Sequence, residues 1–399
     1  MTISIVPLID NDTGQILGTD SIFEQISSLF QLDYGNRYIE SSVYSAQKIE
    51  SANRSGRFTS LTAQSESGQV IGHIALIPSP ITKHVVQLGQ AIVSPEGRGK
   101  GILTRLVSEA IQRCRIDPEL KAIYAISVTH HIASQRSVAP YGFQDVAFLY
   151  GHLPAGMIRN FEGSNVAHST VVQYLLIEPS RSLAFVPPPY ENIVQKIYNT
   201  LGIRKNIISS SDSYIDKQLS DITIIISDNS ASVEYLIKSI GHDTYKIILD
   251  HEYEMDNAGI GVSRIGINLS DPNCNYMIMR LRERGYFFGG LLPHWCPEDV
   301  LIMQRTVNPI LRANIPNINS KFGNMLEEFV TDERNLMPLS MNSSNMTEAH
   351  AVVQGFTGNV AEANPPPYRA ISQIIRIKGN KKNVIEFENA SISPMLPKI

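Results

Sequence analysis

Val93-Ser94-Pro95-Glu96-Gly97-Arg98-Gly99-Lys100-Gly101-Ile102 is the stretch on which the fold turns. The apolar run Val85 to Val93 before it reads as a strand. After it, Leu103, Leu106, Val107, Ala110, Ile111 and Cys114 fall on one stripe of a helix. A loop between a strand end and a helix start gathers unpaired backbone N–H groups at the positive end of the helix dipole. Glycines at 97, 99 and 101 let the backbone approach a ligand and take turns that a side chain would block, while Arg98 and Lys100 add positive charge. These features together predict an anion seat of the pyrophosphate kind. Two nucleotide templates do not fit it. The P-loop needs GxxxxGK followed by Ser or Thr, a spacing absent here. The dinucleotide fingerprint needs GxGxxG with an acid closing the next strand, whereas here the third glycine is displaced and Asp117 precedes that strand.

Outward from this loop, Ile3 to Leu8 reads as a short strand, and Ser21 opens a helix with Ile22, Ile26, Leu29 and Phe30 at three-to-four spacing. A second, polar helix is expected over Arg37 to Glu50. Phe58 to Gln64 and Val70 to Leu76, separated by Ser65-Glu66-Ser67-Gly68, predict an antiparallel hairpin. Beyond the helix at 102, Ala122 to Val128 is a strand, Ser134 to Ala139 a short helix, and Val146 to Tyr150 a strand reached through Tyr141-Gly142-Phe143. The predicted order is β α α β β β α β α β.

Arg98-Gly99-Lys100-Gly101-Ile102-Leu103 resembles motif A of the GCN5-related N-acetyltransferases (the GNAT family): a valine-ended strand, then Arg or Gln, two residues, Gly, one residue, and Gly or Ala. Val93 and Pro95 take their usual places, and Leu103 stands where a small residue is usual. The element order above is also that family's order. His131-Ile132-Ala133-Ser134-Gln135-Arg136 with Gly142-Phe143 is similar to motif B, a helix flanking the CoA arm, with His131 in place of the usual asparagine.

The resemblance implies an α/β (α+β) fold of the GNAT acyl-CoA N-acyltransferase type, with a mixed, mostly antiparallel sheet flanked by helices. It implies acetyl-CoA as co-substrate and transfer of an acetyl or other short acyl group to a primary amine by direct attack. Backbone N–H groups at 99 to 102 would hold pyrophosphate, and the open edge of the fourth strand at Ile92 and Val93 would hold pantetheine. The implied cofactor-binding residues are thus Ile92, Val93, Arg98, Gly99, Lys100, Gly101, Ile102, Ser134 and Gln135. The family's general-acid tyrosine, four residues before the motif B glycine, is replaced by Val138; Tyr141 lies one residue before it. Candidates for proton transfer are therefore Glu96, His131 and Tyr141, with His130 a further base. The absent tyrosine keeps a second reading open, an acyl-CoA-binding sensor or scaffold without turnover.

The second half repeats the pattern. Arg264 to Leu269, a helix around Tyr276 to Arg284, Gly285-Tyr286 and Gly290-Leu291-Leu292-Pro293 follow the order of the first half, which ends Gly151-His152-Leu153-Pro154. Nothing between Ile226 and Asn268 sets two glycines and a basic residue between strand and helix. The expected organisation is a catalytic domain over 1–155, a degenerate GNAT-like copy over 165–310 entered by a strand at Val171 to Ile177, and 311–399 as linker plus a β-rich extension. Ile371 to Ile377 and Val384 to Phe387 predict a hairpin there, after a linker at Leu336 to Met346. Pro187-Pro188-Pro189-Tyr190 and Pro365-Pro366-Pro367-Tyr368 each spell a motif that WW-type modules read when extended, although prolines also open helices routinely.

Composition limits the alternatives. At roughly 150 residues per domain, 399 residues suggest two or three domains, and 43% hydrophobic content supplies their cores. Lys and Arg total 34 against 38 Asp and Glu, a net charge of −4 that gives no basis for general nucleic-acid binding. The absence of a long apolar run and of a basic start followed by an apolar stretch predicts neither a membrane span nor a secretory signal, so the cytoplasm is the expected compartment. Cys114, Cys274 and Cys296 are too scattered for a metal site. The expected partner is a small-molecule or protein amine, with no nucleic acid or membrane, and a homo-oligomer is left open.

Overall fold

Runs rich in Val, Ile and Thr pair edge to edge, and the amphipathic stretches between them pack on the resulting sheet. The computed structural model describes residues 3–10, 15–17, 21–153, 167–209, 219–227, 232–257, 261–296, 298–306, 316–337, 373–378 and 381–386. Its first half contains β1 (Ile3–Pro7), α1 (Ile22–Tyr34), α2 (Ala46–Arg54), β2 (Thr59–Ser65), β3 (Val70–Pro78), β4 (Val85–Val93), α3 (Ile102–Ile116), β5 (Ala122–Val128), α4 (Ala133–Val138), β6 (Gln144–Leu153) and β7 (His168–Leu176). The second contains β8 (Phe185–Val186), α5 (Glu191–Thr200), β9 (Ile208–Ser209), β10 (Asp221–Ser227), β11 (Ser232–Ser239), α6 (Thr244–Asn257), β12 (Val262–Asn268), α7 (Cys274–Glu283), β13 (Phe287–Leu292), β14 (Val300–Thr306), α8 (Lys321–Leu336), β15 (Gln373–Lys378) and β16 (Lys381–Glu386).

One 14-stranded sheet runs β1-β2-β3-β4-β5-β7-β6-β13-β14-β12-β11-β10-β15-β16, with β8 and β9 apart as a parallel pair. Within it β4 lies parallel to β5 and β11 parallel to β12; the other pairs are antiparallel. The succession β3-β4-α3-β5-α4-β6-β7 recurs as β10-β11-α6-β12-α7-β13-β14, with the same pairings in the same spatial order. At the far end, β15 and β16 stand where β2 and β1 stand in the first half.

The halves meet where β6 pairs with β13 through Ala147 and Gly290. A Cβ on Gly290 would overlap Ala147, so glycine is required for the two backbones to come this close. Buried hydrogen bonds reinforce the junction: Gln304 Nε2 donates to the Phe148 carbonyl at 2.8 Å, and Gln304 Oε1 accepts from the Tyr150 N–H at 3.0 Å. Val146, Phe148, Tyr174, Phe288, Leu291 and Ile302 share one core cluster across it. A second cluster, including Leu61, Ile74, Leu106, Ile111, Ile123 and Phe143, packs α3 on the first half of the sheet.

Several elements differ from the sequence reading. β7 does not open a second domain; it inserts between β5 and β6, and periodicity cannot reveal which neighbours a strand will take. The helix expected over Arg37 to Glu50 is a 3-10 turn at Ser41–Tyr44 followed by α2, because the Ser45 side chain accepts from the Lys48 N–H and starts the helix there. Residues 321–336, to which the sequence reading gave no element, form a helix, α8, packed on β6 and β13, while the linker expected at Leu336 to Met346 lies almost wholly outside the described residues. The C-terminal hairpin is present as β15 and β16. Pro365 to Tyr368 lie outside the described residues. Tyr190 of the first proline-tyrosine motif is fully buried, its hydroxyl donating to Glu333 Oε2 at 2.7 Å, so it is closed to a WW-type partner.

Candidate functional site

Two features of β4 create the site. One is an extra residue. β4 pairs with β3 as Val93 with Gly72, Ile92 with His73, then Gly89 with Ala75, so three steps on β4 match two on β3. The bulge centres on Gln90, whose φ of 51° is left-handed. His73 sits behind it, buried, with Nδ1 3.0 Å from the Gln90 carbonyl and Nε2 3.0 Å from Ser60 Oγ. Burial pushes the His73 pKa down to about 4, so the ring is neutral at pH 7. A carbonyl only accepts, which puts the proton on Nδ1 and makes Nε2 the acceptor of the serine hydroxyl.

The other feature is a wedge. β4 and β5 pair through Val85, Val86 and Gln87 against Ala122, Ile123 and Tyr124, and among the described residues the pairing goes no further. β5 stays with β7 as far as Val128 and Thr170. The β4 edge from Leu88 to Val93 is therefore open on that side, its backbone groups free of a β5 ladder.

The glycine loop closes the wide end of the wedge. Pro95–Gly97 is a 3-10 turn in which Gly97 donates to the Ser94 carbonyl at 2.9 Å. A Cβ on Gly97 would lie 2.9 Å from Ile102 Cδ1 and 3.0 Å from Val93 Cγ1, so glycine here lets the helix start pack on the strand end. Gly99 and Gly101 need glycine for a different reason. Their φ values are 74° and 70°, and a Cβ on either would meet nothing within 4 Å. Among the described residues, open space lies above the loop. The first intrahelical bond runs from the Arg105 N–H to the Gly101 carbonyl, at 3.1 Å, which leaves the N–H groups of Ile102, Leu103 and Thr104 without helical acceptors. Among the described residues no side chain caps this end of α3. These donors, the room above two glycines and the open β4 edge fit a pyrophosphate with an extended arm.

The charged residues of the loop divide in role. Lys100 is exposed. Arg98 is engaged within the protein: its Nε donates to the Val93 carbonyl at 3.2 Å and its guanidinium bonds Asp33 Oδ1 at 2.6 Å. It moors the loop to α1. Glu96 is exposed on the 3-10 turn, and its own backbone N–H holds its carboxyl below the usual range, so it is ionised at neutral pH.

Beyond β5, the His130 and His131 rings lie 4.2 Å apart, with His168 6.3 Å from His130. Burial, then the two neighbouring imidazoles, pushes the His130 pKa down to about 4. His131 Nδ1 accepts from the Ala133 N–H at 3.3 Å, so this ring serves the start of α4. Tyr141 donates its hydroxyl to the Thr104 carbonyl at 2.8 Å, pinning the first turn of α3, and Val138 is buried in the core. Ser134 stands in the first turn of α4, its carbonyl accepting from Ser137 Oγ at 2.6 Å. Gln135 is fully buried, and its amide is committed to Val128, Asn317 and Asn319. It holds protein where the resemblance implied cofactor.

The sequence reading missed Asp33, Tyr34, Tyr38, His73 and Gln90. Phe30, Tyr34 and Tyr38 pack as an aromatic group, with Tyr34 and Tyr38 centroids 4.9 Å apart and Phe30 5.9 Å from His73. Burial, then the charge of Asp33, raises the Tyr34 pKa to about 12. The spacing of Phe30, Tyr34 and Tyr38 was a usable signal. Gln90 offered none, since a left-handed non-glycine residue has no sequence mark.

The corresponding place in the second half is closed. β11 and β12 pair along six positions, from Ser232 with Val262 to Ile237 with Ile267. Before α6, the Ile240 N–H is accepted by Asp271 Oδ2 at 2.7 Å and the Gly241 N–H by Thr244 Oγ1 at 2.8 Å. A Cβ on Gly241 would lie 2.5 Å from the Ser220 backbone nitrogen. The protein's own oxygens take the N–H groups of the turn that leads into α6.

The first half thus sets a glycine loop at a helix start beside an open strand edge. Residues 23–143 match the model of the acetyltransferase (GNAT) family, so this stretch carries a GNAT-type acetyltransferase domain. No curated protein matches the sequence. Solved structures similar to part of it include a phosphinothricin acetyltransferase from Sinorhizobium meliloti in complex with AcCoA (18% identity, 45% of this chain, 90% of that one, TM-score 0.35). Others are the spermidine/spermine N-acetyltransferase SpeG from Vibrio cholerae (16%, 44%, 92%, 0.32) and NAA60 from Arabidopsis thaliana in complex with a bisubstrate analogue (16%, 44%, 98%, 0.33). Among the described residues no helix is long and apolar enough to cross a membrane.

Proposed function

We propose that the first half transfers an acetyl group from acetyl-CoA to a primary amine, on a small molecule or a protein, in the wedge between β4 and β5. The observation that carries this reading is the combination of an open β4 edge with an α3 start that no side chain of the described residues caps, where in the second half the matching strand edge is zipped and the turn before the helix is filled by Asp271 and Thr244. N–H groups at the start of α3 hold the pyrophosphate, with Lys100 adding charge. Backbone groups of β4 around Ile92 and Val93 align the thioester arm and polarise its carbonyl. The amine nitrogen attacks that carbonyl; the C–N bond forms, the C–S bond breaks and the thiolate leaves.

Two protons must be handled. The attacking nitrogen sheds one, and the neutral His130 and the ionised Glu96 are the bases nearest the wedge in the chain. The thiolate takes up one. Tyr141 is already bonded to Thr104, so protonation by water takes the place of a dedicated acid. That commitment is the observation favouring the second reading, a sensor that binds acyl-CoA without turnover. Calorimetric titration of acetyl-CoA and CoA, followed by thiol release with a panel of amines, separates the two. Binding with amine-dependent release is expected. Binding without release would establish the sensor, and no binding would overturn both.

A further inference from the structure

The wall of the wedge opposite β4 is the C-terminal end of β5, and a segment from the far end of the chain holds it. Three successive carbonyls there are taken by two residues. Gln135 Nε2 donates to Val128 at 3.0 Å, the Asn317 N–H to Thr129 at 2.7 Å, and Asn317 Nδ2 to His130 at 3.2 Å. Gln135, fully buried, then grips the segment itself. Its Nε2 donates to the Asn317 carbonyl at 2.8 Å and its Oε1 accepts from the Asn319 N–H at 2.8 Å, across 182 positions of sequence in the first case. The grip continues into α8, because Ser320 Oγ donates to Asp145 Oδ2 at 2.5 Å and accepts from the Gly323 N–H at 2.7 Å.

A strand that loses one neighbour partway along needs another restraint at its free end. In the second half that restraint is the partner strand: β12 stays zipped to β11, and Asn268 Nδ2 reaches the Lys238 carbonyl at 3.0 Å. In the first half the β4 partner is gone by Ala125, and the Asn317 segment holds the end instead. We propose that Asn317, gripped by Gln135, is a positioning residue for acyl transfer. It fixes the β5 wall and the adjoining His130–His131 corner at the separation from β4 that admits the acyl-CoA arm. The inference rests on the acyl-CoA reading above.

The test uses the full chain with Asn317→Ala, which removes only the bond to the His130 carbonyl, and Gln135→Leu, which removes the grip. Acetyl-CoA Kd is read by calorimetry, KM and kcat with an amine the wild type uses, and Tm alongside. Loss of one such hydrogen bond should weaken acetyl-CoA binding roughly three- to tenfold in Asn317→Ala, with a larger loss in Gln135→Leu. KM for acetyl-CoA should rise in parallel while kcat at saturation stays near wild type. A purely structural role would lower Tm and leave Kd and KM unchanged in both variants, and that result overturns the proposal. If Gln135→Leu does not fold, Asn317→Ala decides. A wild type that binds no acetyl-CoA would overturn the acyl-CoA reading and this inference with it, whereas binding without turnover leaves the Kd comparison to decide.

Discussion

β4 with β5 and β11 with β12 are the same parallel pair built twice, and they part after three positions in one half and stay zipped for six in the other. In the first half a bulge at Gln90 and two left-handed glycines give up ladder and helix-start bonds, leaving donors exposed. In the second, the ladder continues along β11 and β12, and Asp271 and Thr244 accept from the Ile240 and Gly241 N–H groups ahead of α6. The comparison teaches that the proposed cofactor seat is a part of the fold whose own hydrogen bonds were left unmade. Where the protein completes its own hydrogen bonds, no ligand is needed and no room remains.

If that is right, damage to the second half should cost stability without touching cofactor affinity. Lys205 and Asp299 form a buried ion pair at 2.6 Å, with Tyr198 donating to the same carboxylate at 2.8 Å. Lys205→Met strands a buried carboxylate and should destabilise the fold by about 3–5 kcal/mol in denaturant melts, with an unaltered acetyl-CoA Kd below the transition. A changed Kd would show that the halves are coupled more tightly than the comparison implies.

The first half has its own acid sensitivity. His73 is held neutral by burial, its pKa down at about 4 from 6.5, so the unfolded chain takes up a proton more readily than the native one. Stability is present in full above pH 6.5, declines as pH falls and has lost this contribution near pH 4, a loss on the order of 3 kcal/mol. The pH profile of unfolding free energy should lose about one proton's worth of slope in His73→Gln, and an unchanged slope would assign the acid sensitivity elsewhere.

Gly101 at φ 70° and Gly241 in its crowded turn give the sharpest functional contrast. Gly101→Trp places a side chain in the open space over the loop and should weaken acetyl-CoA binding by roughly a hundredfold, about 2.7 kcal/mol. Gly241→Ala should lower Tm and leave binding intact. The smallest effect belongs to the mooring of the loop. Asp33→Ala frees a half-exposed Arg98, and because exposed ion pairs contribute only about 0–1 kcal/mol, Kd should change by less than about fivefold, as titration would show.

Much of this was legible locally. Of the predicted stripe of α3, Leu106, Val107, Ala110, Ile111 and Cys114 are buried and Leu103 is half-buried, because helical periodicity is set by the chain itself. The loop could be read because glycine marks backbone shapes that other residues avoid. β11 and α6 escaped notice, and β7 was read in the wrong company, since a strand's neighbours depend on residues far away. Gln135 shows the limit most plainly. Its place in a motif-like segment suggested cofactor, and its buried amide instead found Asn317 and Asn319.

By itself, then, the sequence determined what short-range physics controls: the glycine loop between strand and helix, the apolar face of α3, and the repetition of one strand-helix pattern along the chain. Only the tertiary structure decided the wedge at β4, the closing of its counterpart at β11, and the hold of the Asn317 segment on β5. The reason is that a buried polar group must find a partner, and whether that partner is a neighbouring strand, a distant segment or a ligand depends on what the completed fold brings within hydrogen-bonding reach.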